Sequence, residues 1–182
     1  MAAEIEKLRE EHVNFRRLLD VLEKQLGVFH EGDTPDYPLM TDILHYMTHF
    51  PDHLHHPRED VIFARLVRSD SGVALRVQEL ARQHRVLAEA GARIHENLES
   101  VMNGEVMARS MIEAPGLLYV TYYRSHMDME ESDLFALAEA VLGDEDWKEI
   151  DAEIQSRPDP MFGHDIEERY RAVYQQIVQT VA

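Results

Sequence analysis

The chain reads as an all-α protein, a four-helix bundle with additional short C-terminal helices. Three observations carry that reading. Apolar residues recur at spacings of three and four through four long segments. Only eight glycines and seven prolines punctuate 182 residues. Strand-type alternation is scarce.

The first segment places Ile5, Leu8, His12, Phe15, Leu19, Leu22 and Leu26 on one stripe, with His12 its one polar member. Gly27 and then Glu31-Gly-Asp-Thr-Pro35 signal a stop and a loop. The second runs from about Tyr37 to Arg68. Pro51 and Pro57 lie inside it and each removes a backbone donor. The apolar pattern resumes at Val61, Ile62, Phe63 and Leu66, so one kinked or locally irregular helix is expected. The third carries Val77, Leu80, His84, Leu87, Gly91, Ile94, Leu98 and Val101, again with a histidine in the seam, and Asn103-Gly104 ends it. The fourth is expected from Leu117 to Leu142, with a break or kink at Pro115-Gly116.

Residues 1–142 thus form the bundle, and 143–182 a helical extension packed on the same domain. The extension predicts one short helix over Glu145–Gln155 and another over Asp165–Thr180, separated by Arg157-Pro-Asp-Pro160. Their apolar faces are expected to flank the bundle, the alternative being a homodimer interface.

Eighteen basic against 35 acidic residues give a net charge of −17, which disfavours nucleic acid and anionic membrane surfaces as partners. No apolar run approaches the roughly 18 residues of a membrane span, and the charged start MAAEIEKLREEH shows no signal peptide. A cytoplasmic location is the expectation. The absence of cysteine removes disulfides, iron–sulfur clusters and zinc–thiolate sites. Eleven histidines leave nitrogen and oxygen as the metal donors.

The seam histidines form a repeat. His12 and His55 are 43 residues apart, and His84 and His126 are 42 apart. His12 to His84 is 72, and His55 to His126 is 71. In each half one helix offers a histidine and the next offers His-x-x-x-Glu, as His55 with Glu59 and His126 with Glu130. Residues four apart share a helix face. Four imidazoles and two carboxylates therefore converge in one core. Buried carboxylates side by side repel or stay protonated unless cations neutralise them. Two cations resolve this, each taking two histidines, with both carboxylates and an oxo or hydroxo group bridging. Each then keeps an open position for a small diatomic or peroxide. His56 and Asp60 form a rival i,i+4 pair; His55 and Glu59 are preferred because they align with His126 and Glu130.

The motif H…HxxxE…H…HxxxE, carried by His12, His55, Glu59, His84, His126 and Glu130, resembles the hemerythrin-like family, or HHE cation-binding domain, over roughly residues 4–142. Asp159-Pro-Met-Phe-Gly163 is similar to a tail in some bacterial members. The resemblance implies a left-handed up-down-up-down bundle and a cofactor of two iron ions joined by an oxo or hydroxo bridge. Oxygen-carrying hemerythrins place His-x-x-x-His on the third helix and an aspartate on the fourth. Here Ala88 follows His84 and Glu130 follows His126, closer to the four-histidine, two-glutamate members. These bind or scavenge nitric oxide, sense iron or oxygen, repair clusters or break down peroxide. The repair proteins carry an extra N-terminal cysteine domain. The expected function is a di-iron protein binding O₂, NO or peroxide as a sensor, scavenger or redox-stress protein. The alternatives are a catalase-like enzyme, or iron storage and delivery. No catalytic residue is assigned.

Around this site, Asp60 and Glu131 are candidate acceptors for ring N–H groups. Tyr122 or Tyr123 is placed to hydrogen-bond a bound ligand or simply to pack. Met47, Met127 and Met129 read as core fillers. His45, His49, His53 and His56 read as a solvated or partly buried stripe, with a weaker metal site or proton relay as the alternative. His30, His95 and His164 have no partner pattern.

Overall fold

A computed structural model describes residues 3–154 and 157–181. All regular structure among them is helical. Helix α1 spans Ala3–His30 and α2 spans Tyr37–Phe50. Asp36 caps α2 by accepting from the Leu39 amide at 3.0 Å. The chain then runs without a break through one wide π-type turn, Pro51–His55, into α3, His56–Ser69. Helix α4 covers Ala74–Met102, and α5 covers Glu113–Met129. A second π-type stretch, Glu130–Phe135, joins α5 to α6, Ala136–Val141. Helices α7, Asp144–Glu153, and α8, Arg171–Val181, form the tail.

The expected irregularity at Pro51 is present. The expected kink at Pro115 is absent: α5 starts at Glu113, so Pro115 lies in the first helical turn, where its missing N–H has no partner to lose. Gly104, at φ +89°, takes the left-handed conformation after α4, while the Asn103 amide closes onto the Glu99 carbonyl. The last residue of the helix expected over Glu145–Gln155 lies outside the described residues.

The helices close into a ring in which contacts run in opposite chain directions along each neighbouring pair. Arg9 meets Glu139, and Arg124 meets Asp20, across α1 and α5–α6. Thr41 meets Met102, and His56 meets His84, across α2–α3 and α4. Asn97 reaches the Met111 carbonyl and Arg76 reaches Asp133 across α4 and α5. Arg58 on α3 pairs with Glu4 and Glu11 on α1.

Two apolar clusters fill the ring. One contains Ile5, Leu8, Ile62, Phe63, Leu66, Leu80, Leu134 and Phe135, and α7 adds Ile150 to it. The other contains Phe15, Leu19, Leu22, Tyr46, Leu87, Ile94 and Tyr123. Tail residues Met161, Tyr170, Val173 and Ile177 are buried in this second cluster. Asp159 anchors that tail: its carboxylate accepts from the Met161 and Phe162 amides and from the Tyr46 hydroxyl, the last at 2.8 Å. Along α1 the order is Leu8, His12, Phe15, so a polar layer lies between the two clusters.

Close helix approach sets a testable contrast between two glycines. A Cβ on Gly91 would sit 2.6 Å from Thr48 Cγ2 and 3.2 Å from the Tyr119 ring, whereas a Cβ on Gly27 would meet nothing within 4 Å. Thr48 cannot simply swing away, because its hydroxyl is bonded to the Leu44 carbonyl. Gly91→Ala is expected to lower stability by about 1–2 kcal/mol despite better helix propensity. Gly27→Ala should raise it by about 0.5–1 kcal/mol. Paired thermal melts check both signs.

Candidate metal centre

The polar layer gathers all six residues of the repeat. His12 comes from α1, His55 from the last position of the first π-type turn, and Glu59 from α3. His84 comes from α4, His126 from α5, and Glu130 from the first position of the second π-type turn. All six are buried, and both glutamates are wholly so.

The two carboxylates lie between two histidine pairs. Glu59 Oε1 is 3.2 Å from His55 Nε2 and 3.8 Å from His12 Nε2, while its Oε2 is 3.5 Å from His84 Nε2. Glu130 Oε1 is 3.2 Å from His126 Nε2 and 3.4 Å from His84 Nε2, while its Oε2 is 3.4 Å from His12 Nε2. Each glutamate therefore faces both pairs. Both Glu59 oxygens, Glu130 Oε2 and His126 Nε2 have no hydrogen-bond partner among the described residues. Leaving buried polar atoms unmet costs about 1–3 kcal/mol each, so this layer is poorly explained as a structural network. It fits cations held by nitrogen and oxygen donors. Three triads, His12-His55-Glu59, Glu59-His84-Glu130 and His56-His84-His126, each have ligating atoms within 4.8 Å of one another.

The electrostatics carry the same strain. Burial raises Glu130 well above the usual carboxylate range, and the neighbouring Glu59 charge raises it further. Burial would raise Glu59 too, but His55, His84 and His12 outweigh it and keep Glu59 ionised well below the usual range. Burial would lower His55, yet Glu59 and Glu11 bring it up to about 9. Burial and the neighbouring His56 push His84 down to about 3, and burial and His84 push His126 well below its ordinary value. At neutral pH these last two rings are neutral and free to donate lone pairs.

The outward nitrogens are held in turn. His12 Nδ1 is 2.9 Å from Glu131, as expected for that acid. Asp60 is 4.0 Å from His84 Nδ1, too far for a hydrogen bond. The acceptors missed in the sequence are Glu11, 2.6 Å from His55 Nδ1, and Gln83, 3.0 Å from His126 Nδ1. A signal for them exists: Glu11 immediately precedes His12, and Gln83 immediately precedes His84, so the repeat extends to the residues that orient the rings.

His56 departs from the expected stripe. It is buried, its ring stacks on His84 with centroids 3.9 Å apart, and its Nε2 has no hydrogen-bond partner among the described residues. Wheel arithmetic at 100° per residue misplaced it because the chain enters α3 from a π-type turn. The rest of the stripe stays at or near the surface: His49 and His53 are exposed and His45 is half-buried. His45 stacks on His49 at 3.9 Å and pairs with the Tyr170 hydroxyl at 2.8 Å, and His95 joins at 5.9 Å. His30 pairs with Glu113, and His164 with Asp165.

Burial, then His49, brings His45 down to about 4. An unfolded histidine titrates near 6.5, so between these values the unfolded chain binds the extra proton. His45 then contributes stability above pH ~6.5 that is lost as pH falls toward ~4. The urea midpoint of metal-free protein should drop on moving from neutral pH through that window, and drop less in His45→Gln. Equal drops would contradict this assignment.

Tyr123 is buried, its hydroxyl has no hydrogen-bond partner among the described residues, and its ring lies 6.0 Å from His126. Tyr122 is only half-buried and, with Tyr119, lines an apolar surface groove of about 560 Å³ between α4 and α5. Tyr119 packs edge-on against Tyr123 at 5.6 Å. Met47 and Met127 are buried in the core, and Met129 packs against it half-exposed.

A family model described as the hemerythrin HHE cation binding domain matches residues 3–138. No curated protein and no solved structure matches the chain.

Proposed function

Because the chain belongs to the hemerythrin HHE cation-binding family, we propose that it is a non-haem di-iron protein that binds O₂, NO or peroxide at a bridged metal pair. The observation that supports this most is the pair of buried glutamates, each facing both histidine pairs with oxygens left unpartnered. In this reading His12 and His55 hold one iron, His84 and His126 hold the other, and Glu59 and Glu130 link them. The bundle through residue 142 carries this chemistry, and residues 143–182 pack on the same domain.

When bound, the iron pair supplies electrons to, or accepts them from, a small ligand. The chain's own part is positioning and exclusion of water. Glu11, Gln83 and Glu131 fix the imidazole orientations through Nδ1. Phe15 and Phe135 cover the His12–His55 side, with Phe135 stacked on His12 at 5.5 Å. Tyr123 offers a hydroxyl that no protein group engages among the described residues. No helix among the described residues is long and apolar enough to cross a membrane.

The test is anaerobic purification followed by optical spectra on adding O₂, azide, NO and H₂O₂. Ligand-to-iron bands that respond to these additions are expected. Spectra that never change would overturn the proposal. Steady O₂ release from peroxide would replace the binding role with a catalase-like one.

A further inference from the structure

A second group of imidazoles lies outside the buried layer. His45 and His49 are four residues apart on α2, so they share one helix face, and His53 continues the row. The His45 ring stacks on His49 at 3.9 Å and 14°. His95 joins from α4, its ring 5.9 Å from that of His45. Two histidines one turn apart on a helix, with a third ligand from another element, form an arrangement that holds zinc.

These rings are also oriented as ligating rings are. His49 Nδ1 donates to the His45 carbonyl at 2.7 Å, and His53 Nδ1 donates to the His49 carbonyl at 2.8 Å. Each bond keeps the ring proton on Nδ1 and leaves the lone pair on Nε2. The Tyr170 hydroxyl lies 2.8 Å from His45 Nδ1 and can accept from it, which leaves Nε2 to a metal there too. His95 Nε2 is buried with no hydrogen-bond partner among the described residues. A histidine that only packed would leave this nitrogen unmet, at a cost of about 1–3 kcal/mol. Burial lowers His95, and burial followed by His49 brings His45 down to about 4, so both rings are neutral at pH 7 and keep their lone pairs. The surrounding charge favours a cation. Glu99 lies 3.9 Å from His95 Nδ1, and the nearby Arg169 is paired with Asp42 at 3.0 Å.

From this placement we infer that His45, His49 and His95 form a second metal site, at the surface between α2 and α4, for one borderline divalent cation of the zinc class. Imidazole suits zinc, nickel and copper, whereas magnesium demands a shell of oxygens. Three imidazoles leave the fourth position of a tetrahedral ion to water. His49 is exposed, so its ring is free to turn toward the ion. Tyr170 leads into α8, so an ion on His45 also ties α2 and α4 to the tail. This site does not depend on the proposed iron pair.

The test titrates Zn²⁺ by calorimetry into full-length protein already loaded with Fe(II) and oxidised. The wild type is expected to take up about one further ion per chain, and Mg²⁺ should not compete for it. In His49→Ala and in His95→Gln the affinity should fall at least about tenfold while the iron spectrum stays unchanged. His126→Ala, altered in the buried layer, should keep this uptake. Should the wild type hold no iron, the same losses are read in metal-free protein, so failure of the proposed function leaves this test in force. A wild type that takes up no Zn²⁺ would overturn the inference. Uptake that survives both His49→Ala and His95→Gln would overturn it as well, by placing the ion on scattered surface carboxylates.

Discussion

Replacing Glu130 by methionine should raise the melting temperature of the metal-free protein and abolish its response to iron. Glu130 is wholly buried, one of its oxygens is unpartnered, and it faces the ionised Glu59. Removing such a group while keeping its volume relieves about 1–3 kcal/mol, or about 3–10 °C in a chain of this size. The metal-loaded state reverses the order. A ligand present at a thousand times its dissociation constant stabilises the wild type by about 4 kcal/mol, and a variant lacking one linking carboxylate forfeits most of that. Thermal melts with and without Fe(II) under nitrogen should therefore cross. A variant less stable than wild type by the same margin in both conditions would make Glu130 a packing residue and not a ligand. Such a trade of stability for binding is common where a fold holds unsatisfied charge for a ligand.

Phe15→Ala should be the most destabilising single truncation near the site. The ring is fully buried and packs against His55 at 4.9 Å, His12 at 6.1 Å, Phe50 and Tyr123 at 6.2 Å, and Tyr46 at 6.3 Å. These neighbours come from α1, α2, α5 and the first π-type turn, so they cannot collapse together into the space. A loss of about 3–5 kcal/mol is expected, seen as a melting temperature lowered by about 6–20 °C in metal-free protein. The cavity would adjoin the His12–His55 side and admit water there, so the loaded variant should also lose its oxidised-state spectrum faster than wild type. A drop below about 1 kcal/mol would show that the site relaxes around the missing ring.

The convergence of the six His and Glu residues in one buried layer was legible in the sequence because they obey a repeat. The 71- and 72-residue echo, the two His-x-x-x-Glu pairs and the single histidines in otherwise apolar stripes depend only on helical periodicity. What escaped depends on departures from it. Pro51 marks an irregular turn but does not say that the turn widens, and the widening is what brings His56 into the core beside His55. The matching stretch at Glu130–Phe135 contains no proline or glycine, so nothing local announces it. Pro115 misled in the opposite direction, because a proline in the first turn starts a helix as readily as it breaks one. Glu11 and Gln83 were visible as neighbours of His12 and His84, but each serves a ring on the adjacent helix, a relation that appears only when the helices are paired. The Tyr46–Asp159 bond likewise joins positions 113 residues apart, with no periodicity to link them.

In the proposed function the buried layer holds two cations. Its most direct test is the metal content of wild-type protein loaded with Fe(II) without oxygen and freed of excess iron by gel filtration. About two irons per chain are expected, falling below about one in Glu59→Ala and in His126→Ala, with helical content retained. A wild type that keeps no iron, or variants that keep as much iron as the wild type, would contradict the claim.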